Sequence, residues 1–159
     1  VGGINGDPRM LGVVSELGIP LVLMHNRAKP CYEDLIPEII EELKNMMEMA
    51  ELSGIDSGNV ILDPGIGFGK TAQHNMEIVR RLDEFQVLDR PILIGMSRKS
   101  TIGYVLDLPP NDRLEGTAAT VALSIAKGTD IVREHDVKEM ERVARMSDAI
   151  IRGCSFNVS

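Results

Sequence analysis

Residues 59–71 read NVILDPGIGFGKT. A buried-looking apolar run leads into an aspartate, a proline and three glycines, and the stretch closes on Gly-Lys-Thr. P-loops share that ending, but they place four residues between their first glycine and the Gly-Lys-Thr. Counting back from Gly69, that position holds Pro64, and Gly65 is one residue too close. Proline has no N–H with which to cradle a phosphate. The stretch therefore reads as a strand that delivers Asp63 and a glycine-rich turn at its C-terminal end.

Three further runs share this character: IPLVLMH (19–25), RPILIGMS (90–97) and TDIVREHD (129–136). They are β-branched or leucine-rich with little polar alternation, as expected of strands buried on both faces in a parallel sheet. Their starts lie roughly 30–40 residues apart, the length of a βα unit. Helical patterns fill the gaps. Residues 35–51 place Leu35, Ile36, Ile39, Ile40, Leu43, Met46, Met47 and Ala50 on one face, with Glu38, Glu41, Glu42 and Lys44 opposite, and Gly54 closes the helix. Residues 75–85 repeat the spacing with Met76, Val79, Leu82 and Phe85. Residues 114–127 are rich in small residues suited to close packing on a sheet, with Gly128 past the end. Residues 137–151 follow Asp136, and Glu139 completes the spacing of a capping box. Asp7-Pro8 and Gly18 bracket a helix before the first strand. The order is one helix, then four βα units, an α/β pattern in a single domain over residues 1–159 with no linker.

Of the 159 residues, 43% are hydrophobic and only 3% aromatic, so the core is aliphatic and methionine-based. A net charge of −7 argues against a broad nucleic-acid surface. No apolar run approaches the roughly 20 residues of a membrane span. Cys31 and Cys154 are distant in sequence and form no disulfide framework, which fits a reducing cytoplasm.

Chemically capable residues follow each apolar run at once: Met24-His25-Asn26-Arg27, Asp63 with its glycines, GMSRKS (95–100) and Arg133-Glu134-His135-Asp136. In parallel α/β folds the loops after the strands line one face, and sites gather there. Asp63 either accepts two N–H donors from a heterocycle or ends its strand as an Asx turn. Gly65, Gly67 and Gly69 permit close approach of a flat ligand, or simply a tight loop. Phe68 walls a pocket or anchors the loop. Ser97, Arg98, Lys99 and Ser100 put two hydroxyls and two cations at a helix start, a ready anion site or an exposed basic turn. Arg133 and His135, two apart on a continuing strand, share a side suited to phosphate, with Glu134 opposite. Arg133 could instead pair with Asp136. His25 and His74 make no metal-ligand spacing and read as structural or surface residues.

ILDPGIGFGKT, LIGMSRKSTIG and IVREHDVKEM, in this order and spacing, resemble dihydropteroate synthase, and LVLMHNRAKP and RLEGTAATVALSIAKGTD agree with it. The resemblance spans about residues 1–152. It implies a (β/α)8 TIM barrel, of which this chain would form about the last four βα units with a preceding helix. It also implies the folate-pathway condensation of 6-hydroxymethyl-7,8-dihydropterin pyrophosphate with 4-aminobenzoate, the step that sulfonamides block. Carried over by position, Asp63 binds the pterin ring nitrogens and Lys99 reaches the pterin and the aminobenzoate side. Val22 and Met24 wall the pterin pocket, Gly95 forms its edge, and Gly67 and Ser97 join the substrate-binding set. Phe68 lies beside aminobenzoate, Ser100 near its carboxylate, and Arg133 and His135 anchor pyrophosphate. Lys70 becomes a loop residue. Glu134 stands where such proteins usually carry an apolar residue; it is harmless facing outward but repels pyrophosphate if the strand bulges. The family's early motifs, an Asn-Val-Thr-Pro-Asp-Ser-Phe loop, an Asp-Thr strand and an Ile-Asn-Asp strand, have no counterpart here. With them goes an asparagine linked to Mg2+, so no metal ligand is expected within these residues. A half-barrel fragment of little activity by itself is implied, as is a homodimer through the C-terminal helices. A non-catalytic half-barrel and a fragment of a pterin-dependent methyltransferase are the alternatives, and Ser-Arg-Lys-Ser speaks against the latter.

Overall fold

The computed structural model describes residues 9–153. Helix α1 (Met10–Leu17) ends at Gly18 in the left-handed conformation, where glycine carries no Cβ penalty. The expected Asp7-Pro8 helix start and Cys154 lie outside the described residues. Then follow β1 (Leu21–Met24), α2 (Leu35–Leu52), β2 (Val60–Asp63), α3 (Ala72–Arg80), β3 (Leu93–Ile94), α4 (Ser100–Leu106), α5 (Leu114–Ala126), β4 (Ile131–Val132) and α6 (Val137–Ile151).

All four strands run parallel, in chain order. Strand β1 pairs with β2 from Leu21↔Val60 to Met24↔Asp63. Strand β2 meets β3 where the Leu62 N–H donates to the Pro91 carbonyl at 2.9 Å, and β3 pairs with β4 at Leu93↔Ile131 and Ile94↔Val132. Pleating sends alternate side chains to opposite faces. Leu21, Leu23, Val60, Leu62, Ile92 and Ile94 go outward into a core with Ile36, Ile39 and Leu43 of α2 and with Phe85 and Leu88. The opposite face meets the expectation of two-sided burial only in part: Asp63 and Leu93 are buried, but Val22 on β1 is 45% exposed. Four strands form an arc, and only a full ring closes a barrel interior over such a residue.

Some boundaries moved for local reasons. The helix expected over 75–85 starts at Ala72, because Thr71 accepts a hydrogen bond from the His74 N–H at 3.1 Å and the His74 ring answers the Thr71 N–H. It breaks at Arg81 into a 3-10 helix, Leu82–Leu88, whose three-residue turn keeps Leu82, Phe85 and Leu88 on one buried side. The small residues of α5 receive neighbouring helices as well as the sheet, where Ala118 and Val132 of β4 pack against one cluster. A Cβ on Gly116 would collide with Ile102 of α4, and Val121 and Ile125 cluster with Met140 of α6. The capping box expected at Asp136 does not form: its side chain caps nothing, because Arg98 has taken its carboxylate.

Candidate functional site

Asp63 ends β2 with its side chain only 2% exposed. One oxygen accepts the Gly65 N–H at 2.7 Å, and the other lies 3.4 Å from Nη2 of Arg133. The Asx turn and the ligand-ready carboxylate are therefore one arrangement. The turn fixes one oxygen, and the second faces a guanidinium whose side chain is 60% exposed. Burial, the dominant influence, pushes the Asp63 carboxyl up; the Gly65 N–H, Arg133, Lys99 and Lys70 work against it.

The glycines of the turn serve the protein backbone first. Gly65 and Gly69 have positive φ, and a Cβ on either would run into the backbone carbonyl of His25 or Arg27. They let the β2 loop lie directly on the β1 loop. Beneath them is a charge network that the sequence reading did not foresee. His25 is fully buried; its Nδ1 lies 2.8 Å from Lys70 Nζ and its Nε2 3.0 Å from Glu42. Lys70 also donates to the Phe68 carbonyl at 3.0 Å, and Arg27 binds both Glu42 and Glu38. Since the ammonium donates to Nδ1, the imidazole is the neutral Nε2–H form facing Glu42. Burial, then Lys70, pushes His25 down to about 4; burial pushes Lys70 down to about 8. Both read as structural, as expected of His25, and Lys70 ties the loop to β1 rather than to any phosphate. Polar residues at helical spacing gave no hint of this, because Glu42 looked like part of a solvated face.

Across β3 the turn 95–99 and the segment 133–136 frame a cavity of about 290 Å3, lined by Phe68, Gly95, Ser97, Lys99, Arg133, Glu134 and His135. Lys99 Nζ sits 4.6 Å from the centre of the Phe68 ring, a cation–π approach that fixes both as one wall. Burial, then Arg133, pushes the Lys99 ammonium down. The Gly67 N–H is held by Asn75 Oδ1 at 3.0 Å, and Asn75 in turn reaches Thr101 of α4 at 2.9 Å, which ties the glycine loop to the turn carrying Lys99. Gly95 has no side chain where Arg133 crosses: a Cβ there would stand 2.9 Å from Nη2. Ser97 Oγ accepts the His135 N–H at 3.0 Å and lies 2.7 Å from its Nδ1.

The Ser-Arg-Lys-Ser stretch is divided in its duties. Lys99 lines the cavity; Arg98 does not. Its guanidinium is bidentate on Asp136, its N–H donates to Thr117 at 3.1 Å, and its carbonyl accepts from Arg113 at 3.0 Å. The alternative pairing of Arg133 with Asp136 is not the one formed: Arg98 holds Asp136, and Arg133 lies against Asp63. Ser100 begins α4, is exposed and is not among the cavity's lining residues. Val22 and Met24 share the unburied face of β1, in register with Ile61 and Asp63. The regular strand stops at Val132, so the alternation that would turn Glu134 away from Arg133 and His135 fails, and all three line one cavity. Among the described residues no group of three or more His, Cys, Asp or Glu side chains is placed to hold a metal ion. Asp63 is engaged by Gly65 and Arg133, so these residues do not fit a magnesium site by themselves.

Chemically, the arrangement offers a buried carboxylate for N–H donors and, within one side chain's reach, a cationic cavity for an anion. The model of the family described as pterin binding enzyme matches residues 1–135. The chain is 49% identical to the dihydropteroate synthase of Bacillus subtilis over 149 residues, 94% of this chain and 52% of that protein. Among solved structures it superposes on dihydropteroate synthase from Clostridium difficile, studied in the presence of pteroic acid, with a TM-score of 0.92 and 45% identity, over 94% of this chain and 57% of that one. It also superposes on the Xanthomonas albilineans synthase with 4-aminobenzoic acid, at TM-score 0.89 and 32% identity, over 93% and 55%. The chain spans about half the length of the curated relatives it matches. On its residues, its strand-end site and these likenesses, the chain belongs to the pterin-binding enzyme family.

Proposed function

We propose that this chain carries the pterin- and pyrophosphate-facing part of a dihydropteroate synthase. That enzyme joins 6-hydroxymethyl-7,8-dihydropterin pyrophosphate to 4-aminobenzoate and releases pyrophosphate. The observation that carries the reading is the placement of buried Asp63 beside a cavity lined by Lys99, Arg133 and His135. Solved relatives described with pteroic acid and with 4-aminobenzoic acid support the substrate pair. In this scheme Asp63 accepts N–H donors of the pterin ring, and Arg133 swings from Asp63 toward the leaving group. Loss of pyrophosphate leaves positive charge on the pterin methylene. The Asp63 carboxylate stabilises it through the ring, while Arg133 and His135 stabilise the departing anion. The aminobenzoate amine then attacks the methylene on the side walled by Phe68 and Lys99. No nucleophile–base pair is required of the protein.

Mg2+ belongs to this proposal only as a companion of the pyrophosphate, held by groups other than those described. A homodimer through α5 and α6 is also proposed, supported by the exposed apolar side chains Leu123, Met146 and Ile150. A cytoplasmic location is supported by the free, exposed thiol of Cys31. Among the described residues no helix is long and apolar enough to cross a membrane.

The test is formation of dihydropteroate from the two substrates by the full-length protein, followed by mass spectrometry. Product formed by wild type and strongly reduced in K99A supports the reading; no product from folded wild type overturns it. The exposed inner face at Val22 favours a second reading for the isolated 159 residues, a binding half-barrel with little turnover. Full turnover by those residues alone would contradict it.

A further inference from the structure

Among the described residues, Glu134 is the one carboxylate lining the cationic cavity. Both of its oxygens are buried, and neither has a hydrogen-bond partner of good geometry. An ionised carboxylate left in that position is costly and opposes any anion that enters. A protonated one removes the repulsion. We propose that Glu134 makes anion binding in this cavity proton-linked: the cavity takes up one proton from solvent, on the Glu134 carboxylate, when a pyrophosphate-like anion enters. The inference rests on the anion-binding role assigned to this cavity above.

The surroundings point the same way. Arg133, His135 and Asp136 flank Glu134 on its own segment, and Lys99 faces the cavity from the turn before α4. Asp136 is neutralised by Arg98, and Arg133 is partly occupied by Asp63. The cations nearest Glu134 are therefore shared or exposed. Burial, the largest influence, pushes Glu134 up to about 6, and Ser97 and the Met96 amide offset it only in part. An arriving dianion pushes it further. The neutral acid then becomes the stable form near neutral pH, and the bound state carries one more proton than the free state. Affinity for an anion consequently falls as pH rises through and above this range.

The experiment measures binding of sulfate, a dianion throughout the range, and of pyrophosphate to the full-length protein by calorimetry. Wild type, E134Q and H135N are compared, each after its circular dichroism and melting curve show a folded protein. Between about pH 5.5 and 7.5 the wild-type affinity for sulfate is expected to fall about tenfold more than that of E134Q. H135N is expected to bind more weakly at every pH while its affinity keeps the Glu134-dependent slope. Near pH 7.5, two buffers of different ionisation enthalpy should report about one proton taken up per anion by wild type and distinctly less by E134Q. Equal pH slopes in wild type and E134Q overturn the inference while leaving the anion cavity standing. No binding of either anion by wild type at any pH overturns both.

Discussion

The two loop pairs that meet at Asp63 are built on opposite principles. On the β1–β2 side the polar side chains are packed into a charge network, with His25 between Lys70 and Glu42 and Arg27 on Glu42 and Glu38, and the glycines of the turn lie directly against the backbone carbonyls of His25 and Arg27. On the β3–β4 side Lys99 rests on an aromatic ring, Arg133 is 60% exposed, and the buried oxygens of Glu134 lack a hydrogen bond of good geometry. A matched network rigidifies, while unmatched polar groups in a cavity cost stability and persist where a ligand satisfies them. The first region is scaffold and the second is the proposed site, and Asp63 belongs to both.

Substitutions should separate the two. The largest effect is expected for D63N in the full-length protein, a loss of about 10³-fold in kcat/KM, since the charge facing the developing cation is gone. Turnover near wild type would break the comparison at its centre. Next comes G65A on the scaffold side. Its positive φ and the blocked His25 carbonyl predict destabilisation of about 3 kcal/mol in denaturant unfolding. K99A should reverse that pattern, with about 10² lost in kcat/KM and a melting temperature close to wild type, because Lys99 is only partly buried.

A smaller effect is expected from pH. The fold keeps His25 neutral down to about 4, whereas the unfolded chain protonates it near 6.5. The folded state therefore binds fewer protons in that window, and stability falls as pH drops from about 6.5 toward 4. Thermal melts across the window should show a decline that H25Q flattens; an equal decline in H25Q would remove His25 as its source. The smallest effect belongs to S100A. Ser100 is exposed and outside the cavity lining, so the KM for 4-aminobenzoate should change by less than about threefold. A tenfold rise would return Ser100 to the site.

The contrast also explains what could be read in advance. Strand order, the helices and the convergence of strand ends follow from hydrophobic period and βα spacing, and Asp63, Lys99, Arg133 and His135 duly gather at one end of the sheet. The strand-face argument for Glu134 failed because it assumed a β period beyond Val132, where the chain already turns toward α6. The pairing of Arg98 with Asp136 bridges 38 residues, and a local capping pattern offered a competing partner for the same carboxylate. The buried network of His25 and Lys70 was invisible for a related reason. Each of its members has an ordinary surface explanation until the fold places Lys70 beside His25.

The central claim is that Asp63 holds the pterin ring while the β3–β4 cavity holds the pyrophosphate. Binding of a pterin and of pyrophosphate, measured separately by calorimetry on full-length D63N and H135A, tests it most directly. The account predicts a crossed result: D63N loses pterin affinity and keeps pyrophosphate, and H135A loses pyrophosphate affinity and keeps pterin. Loss of the same ligand in both variants, or of neither, would contradict it.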